Sequence, residues 1–162
     1  VIVRRGGTAD VDTVLGLMDE AVRWLVSQGR PGQWGTEPFS GNPKRVEQIR
    51  EWAPELWLAE SEGEVVGALA LGVAKPPVPP SDVPEVFVRG LVGSRKGRGA
   101  GRVLLDHARA EAERRGVDRL RVDCYAGDDG ALVAFYVLAG FTPTDTFAVG
   151  EWPGQVLEIA LR

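Results

Sequence analysis

The chain has 162 residues, 44% hydrophobic and 26% charged, a balance that suits one globular domain over its whole length with a real core. Its 19 basic and 23 acidic side chains leave a net charge of −4, which argues against general nucleic-acid binding. A single cysteine and a single histidine exclude an internal disulfide framework and a zinc cluster, so no metal is expected. Without an apolar run of about 18 residues or a charged-then-apolar leader, the chain reads as soluble, unprocessed and cytoplasmic, with no membrane partner.

Residues 1–3 form a short apolar strand that leads through two glycines to Thr8, a plausible N-cap with Asp10 in the first turn. Val11, Val14, Leu15, Met18, Val22 and Leu25 then recur at three and four residues, the face of one helix. After the broken segment RPGQWGTEPFSGNP, a polar helix is predicted over 44–52. LWLAE and VVGALALGVA, separated by SEGE, predict an antiparallel hairpin. The proline-rich stretch KPPVPPSDVP cannot sustain a ladder and must leave the sheet. EVFVRGLVG resumes a strand, in which Gly90 marks a bulge or a close backbone approach.

RKGRGAGRVLL follows, with Gly97, Gly99 and Gly101 set among Arg95, Lys96, Arg98 and Arg102. A glycine turn between a strand and a helix makes an anion site. First-turn N–H groups lack intrahelical partners, the helix dipole adds positive character, and the missing Cβ atoms let a ligand approach the backbone. Neither nucleotide pattern fits: no Lys-Ser or Lys-Thr pair follows the glycines, and Arg102 stands where a dinucleotide site needs its third glycine. A solvated basic connector is the plain alternative. The helix runs over 100–115 with Gly116 as its stop, DRLRVDCY alternates as a half-buried strand, and ALVAFYVLAG predicts a short helix. GFTPT and QVLEIALR close the order β-α-α-β-β-β-α-β-α-β-β.

KGRGAG, residues 96–101, resembles the acyl-CoA-binding motif [QR]-x-x-G-x-[GA] of the GNAT superfamily of N-acetyltransferases, with Lys96 in place of Gln or Arg. Further on, DDGALVAFYVLAGF resembles the family's second signature through Phe135, Tyr136, Gly140 and Phe141, with Asp129 where an Asn is usual. The order of elements resembles the family's along the whole chain, and AVRWLVSQGRPGQW is similar to the acceptor region of some small bacterial members.

The resemblance implies an α/β GNAT fold: a mixed central sheet of about six to seven strands with flanking helices and a splayed parallel pair, here 85–93 and 118–125. It implies acetyl-CoA as donor, its pyrophosphate cradled by N–H groups of Gly97, Arg98, Gly99, Ala100, Gly101 and Arg102, with Lys96, Arg98 and Arg102 offsetting charge. The pantetheine arm would run along Leu91, Val92 and Gly93, pairing with backbone groups of Leu91 and Gly93. An N–H at Leu91 would stabilise the oxyanion, a donor whose loss costs about 3 kcal/mol in comparable sites. Phe135 and Asp129 belong to the same cofactor set, with the family's amide contact in question at Asp129.

Tyr136 is the candidate general acid for the departing thiolate, against packing on Phe141 with a satisfied hydroxyl. Glu85 and Asp123 are candidate bases by position, against solvated or ion-paired carboxylates. Cys124 reads as a small buried hydrophobe, so no covalent cysteine route is expected, and His107 as a surface residue. Trp24 and Trp57 are read as core. Trp34 and Phe39 are read as walls of an acceptor site, to which Glu37 or Glu85 attracts a cationic amine. The expected reaction is acetyl transfer to a small primary amine in a ternary complex, with a homodimer left open as the assembly. A non-catalytic acyl-CoA-binding module is the alternative, and a protein-interaction domain the third.

Overall fold

A computed structural model describes residues 1–96 and 99–162. Its elements follow the expected order: β1 (Ile2–Arg5), α1 (Val11–Ser27), α2 (Pro43–Glu51), β2 (Leu56–Ser61), β3 (Glu64–Gly72), β4 (Glu85–Gly93), α3 (Ala100–Arg114), β5 (Arg119–Tyr125), α4 (Ala131–Leu138), β6 (Thr142–Val149) and β7 (Trp152–Ala160). The strands form one seven-stranded sheet in the order β1-β2-β3-β4-β5-β7-β6. Among the described ladders β4 and β5 pair parallel, whereas β1/β2, β2/β3, β5/β7 and β6/β7 pair antiparallel. The parallel ladder runs from Glu85 opposite Arg119 to Val88 opposite Val122, and both strands continue beyond it. Among the described residues no helix is long and apolar enough to cross a membrane.

The chain divides into two compact units, Val1–Leu71 with Gly90–His107, and Gly72–Arg89 with Ala108–Arg162. In the first, Val14, Leu15, Met18 and Val22 of α1 bury their periodic face with Ile49, Trp52, Leu56, Leu58 and Val92. Thr8 is not the cap of α1. A 3-10 turn over Thr8–Asp10 precedes the helix, and the Asp10 carboxylate accepts the Gly7 N–H at 3.0 Å. Asn42 caps α2 by accepting from Lys44 N (3.0 Å) and Arg45 N (3.4 Å), ahead of Pro43 at the first helical position. The β2–β3 turn uses Glu62 and Gly63 at φ 52° and 78°, the left-handed pair that a two-residue hairpin requires.

Gly90 is a close approach. A Cβ there would stand 2.8 Å from Trp52 Cζ3 and nearer still to Cζ2 and Cη2, so the buried indole occupies the place of a side chain. In the second unit the proline-rich segment leaves the sheet as expected but is anchored by Val78, which is buried with Phe87 and Val156. The strand β5 departs from simple alternation because Arg121 is buried at 4% exposure, together with Leu120 and Val122. Its charge is met by Glu85 across the parallel ladder, at 2.7 Å from Nε and 2.9 Å from Nη2.

Candidate active site

In the first unit, β4 delivers the chain into the glycine turn with a defined backbone phase. Val92 O lies 3.1 Å from where a Cβ on Gly67 would stand, and Ser94 N donates to Val66 O at 2.8 Å. Both residues therefore turn their backbone toward β3. Strand alternation points the N–H and C=O of Leu91 and Gly93 to the opposite edge, the phase a pairing partner of those two residues needs. Beyond Ser94 the Lys96 N–H donates to Ser94 Oγ at 3.2 Å, and the Lys96 side chain is exposed. Gly97 and Arg98 lie outside the described residues.

Gly99 has φ +82°, a left-handed backbone, and among the described residues a Cβ there would meet nothing within 4 Å. Val103 N donates to Gly99 O at 3.1 Å and closes the first turn of α3. Helix geometry therefore sets the N–H groups of Ala100 and Gly101 at the open first turn of α3, beside open space at Gly99. This set of donors and the positive end of the helix dipole suit a multiply charged anion such as a pyrophosphate. Arg102 is ion-paired with Asp106 at 3.3 Å one turn along α3, so its charge is shared.

In the second unit, Tyr136 on α4 is 5% exposed and its ring meets Phe135 (5.3 Å) and Phe141 (5.6 Å) edge to face. Burial raises the proton affinity of its hydroxyl, and the neighbouring Cys124 and Asp123 raise it further, so the phenol stays protonated as an acid must. Burial, with Asp123 adding to it, pushes the Cys124 thiol up to about 12. A thiolate nucleophile is thus disfavoured, and Cys124 is buried as expected. Asp123 is itself raised by burial, partly opposed by its own backbone N–H. Asp128, Asp129 and Gly130 are successive left-handed residues, at φ 54°, 60° and 73°. Asp and Asn tolerate that region better than other side chains, which limits what can stand at Asp129.

Glu85 does not present an available carboxylate. Besides Arg121 it accepts from Arg119 Nε at 3.1 Å, while Arg121 also donates to Pro79 O and Arg119 to Ser81 Oγ. Two guanidiniums hold its charge inside the fold, which opposes both the base role and the attraction of an amine. The acceptor expectations divide as well. Phe39 is 4% exposed and belongs to the core, with Trp34 packed edge-on at 5.7 Å. Trp34 and Glu37 line a cavity of about 240 Å³ whose wall includes Arg45. The Arg45 guanidinium lies 4.1 Å over the Phe39 ring and donates to Trp34 O at 3.0 Å. Only its place just after the Asn42 cap could have drawn attention to Arg45 in the sequence. Trp57 is half-buried and packs against His107 with ring centroids 4.4 Å apart and planes tilted by 55°, so His107 is a packed ring rather than a surface one.

The strand order and the glycine turn opening α3 are those of an acyltransferase fold. The chain belongs to the acetyltransferase (GNAT) family, whose pattern it matches over residues 17–141. It is 38% identical over 107 residues to a mycothiol acetyltransferase of Beutenbergia cavernae, a stretch that is 64% of this chain and 34% of that protein. The chain thus spans about a third of the length of the curated relative it matches. A GNAT-family acetyltransferase structure from Listeria monocytogenes covers 99% of this chain and 94% of its own at TM-score 0.72 and 22% identity. The Salmonella typhimurium structure of yncA, solved with its cofactor acetyl-CoA, covers 99% and 94% at TM-score 0.65 and 19% identity. At these identities the likeness is one of fold.

Proposed function

We propose that this chain transfers acetyl from acetyl-CoA to a primary amine by direct attack in a ternary complex. The observation that supports it most is the backbone phase at the end of β4, with Leu91 and Gly93 facing away from β3 and leading into the open turn at Gly99 and the first-turn donors of α3. In this reading the N–H groups of residues 97–102 hold the pyrophosphate, Lys96, Arg98 and Arg102 offset its charge, and the pantetheine amides pair with Leu91 and Gly93 past Val92. Phe135 and Asp129 complete the donor set. The amine nitrogen attacks the thioester carbon, and the Leu91 N–H stabilises the oxyanion, a donor worth about 3 kcal/mol. Collapse breaks the C–S bond and Tyr136 protonates the thiolate.

The amine must surrender a proton before or during attack. With Glu85 committed to two arginines, Asp123 is the remaining named carboxylate, and its burial-raised proton affinity suits a base acting directly or through water. Trp34 and Glu37 line the acceptor cavity, Glu37 attracting a cationic amine, while Phe39 supports Trp34 from the core. The name of the Beutenbergia relative adds mycothiol-type acceptors to the classes worth testing.

Calorimetry of CoA binding tests the donor site. Gly99→Glu and Gly101→Glu each bring a carboxylate into the space proposed for the pyrophosphate and abolish binding. Undiminished affinity in folded variants refutes the reading. A panel of amines incubated with acetyl-CoA and read by mass spectrometry identifies the acceptor class.

A further inference from the structure

The described residues include a junction between α1 and the chain just ahead of the glycine turn. Glu20 Oε1 accepts from Ser94 Oγ at 3.1 Å and from Arg95 N at 3.1 Å, across more than seventy residues of sequence. One helical turn further along α1, Trp24 carries the Arg95 guanidinium 3.9 Å over its ring. Ser94 Oγ passes the link on by accepting the Lys96 N–H at 3.2 Å, while Ser94 N is held by β3 at Val66 O. The chain leaving β4 is therefore fixed from the sheet and from the helix just before it enters the motif.

We infer that Glu20 is a positioning residue for acetyl-CoA, acting through Ser94 and Arg95 on the backbone donors that follow them. The inference rests on the donor-site reading above. A carboxylate placed close to a pyrophosphate site repels the ligand, and α1 is already seated by Val14, Leu15, Met18 and Val22, so the fold has little need of it. What Glu20 adds is a fixed origin for the turn. Loss of two hydrogen bonds to a turn that must present several N–H groups at once falls on ligand affinity rather than on the chemical step. Asp19, its neighbour, faces elsewhere and accepts from Ser40 N at 3.1 Å and Ser40 Oγ at 2.6 Å, which makes it a control for loss of negative charge on the same helix.

The test is steady-state kinetics varied in acetyl-CoA at saturating acceptor, paired with CoA calorimetry. Glu20→Ala raises KM for acetyl-CoA about tenfold, with kcat within about twofold of the parent, and weakens CoA binding by the same factor. Glu20→Gln recovers most of the loss, because its amide oxygen accepts the same two bonds, and Asp19→Asn leaves KM for acetyl-CoA unchanged. If Glu20→Ala does not fold, Ser94→Ala removes one of the two bonds and gives about a threefold rise. An unchanged KM, a loss confined to kcat, or a Gln variant no better than Ala overturns the inference. A wild-type chain that does not bind CoA overturns the acetyltransferase reading itself, and the inference with it.

Discussion

Gly90→Ala tests the placement of the β4 backbone directly. The methyl group added at Gly90 would stand 2.8 Å from Trp52 Cζ3 and closer to two other indole carbons, inside the 3.0 Å limit that Cβ atoms keep. Trp52 is 5% exposed and packed among the side chains of the first core, so the ring has little room to step aside. Forcing extra volume into such a core costs about 1–3 kcal/mol, and at about 2–4 °C per kcal/mol for a chain of this size the expected fall in Tm is about 2–12 °C. Thermal unfolding followed by circular dichroism measures it. Trp52→Leu alone opens a cavity, and in the double variant the new methyl enters that space. The combined loss is therefore smaller than the sum of the single losses by at least about 1 kcal/mol. A Gly90→Ala protein that melts within a degree of wild type, or a strictly additive double variant, refutes the close approach of Trp52 to β4.

Tyr136→Phe keeps the ring between Phe135 and Phe141 and removes only the hydroxyl, so kcat falls about ten- to a thousandfold at unchanged CoA affinity. Wild-type turnover in a single-turnover assay returns Tyr136 to a packing role. Glu85→Gln leaves the buried Arg121 with a neutral partner and costs about 3 kcal/mol, a fall of about 6–12 °C in Tm, while kcat/KM per folded enzyme is unchanged. A specific loss of activity without destabilisation would restore Glu85 as a base. Glu111, buried and bonded by Arg114 and Arg115, has its carboxyl held down from 4.5 to about 2, Arg114 being the larger cause. A lowered folded-state value means the stabilisation is present above about pH 4.5 and is lost as pH falls toward 2. Tm measured across that window falls more steeply for wild type than for Glu111→Gln, and parallel curves would contradict the pairing.

Periodicity and punctuation carried the element order. The face of α1, the SEGE turn and the glycine turn opening α3 are local signals, and local physics determines them. The strand pattern marks Gly90 as a bulge or close approach, yet nothing near it in sequence names Trp52, which arrives from 38 positions earlier. Arg121 read as the exposed side of an alternating strand because its partner Glu85 lies 36 residues away, and only the parallel ladder makes them neighbours. Phe39 read as an acceptor wall because Gly and Pro surround it, a composition that describes the loop and not the core beneath it. Within the candidate site, the glycine motif picks out Gly99 and the family resemblance implies Leu91 and Gly93, whose open space and backbone phase support the donor reading. Glu20 carried no signal at all: a half-buried acid on a helix looks the same whether it meets water or a turn seventy residues away.

The seclusion of Cys124 turns the protein into a clean background for its own chemistry. It is the only cysteine of the chain, is 5% exposed, and its thiol is pushed up to about 12, so a chromogenic disulfide reagent at neutral pH finds almost no thiolate on the folded protein. In the acetyl transfer proposed above, every equivalent of colour in a reaction mixture then counts a molecule of liberated coenzyme. With substrates left out, the same reagent becomes a clock for opening of the second unit, since each chain that exposes β5 yields a single stoichiometric signal.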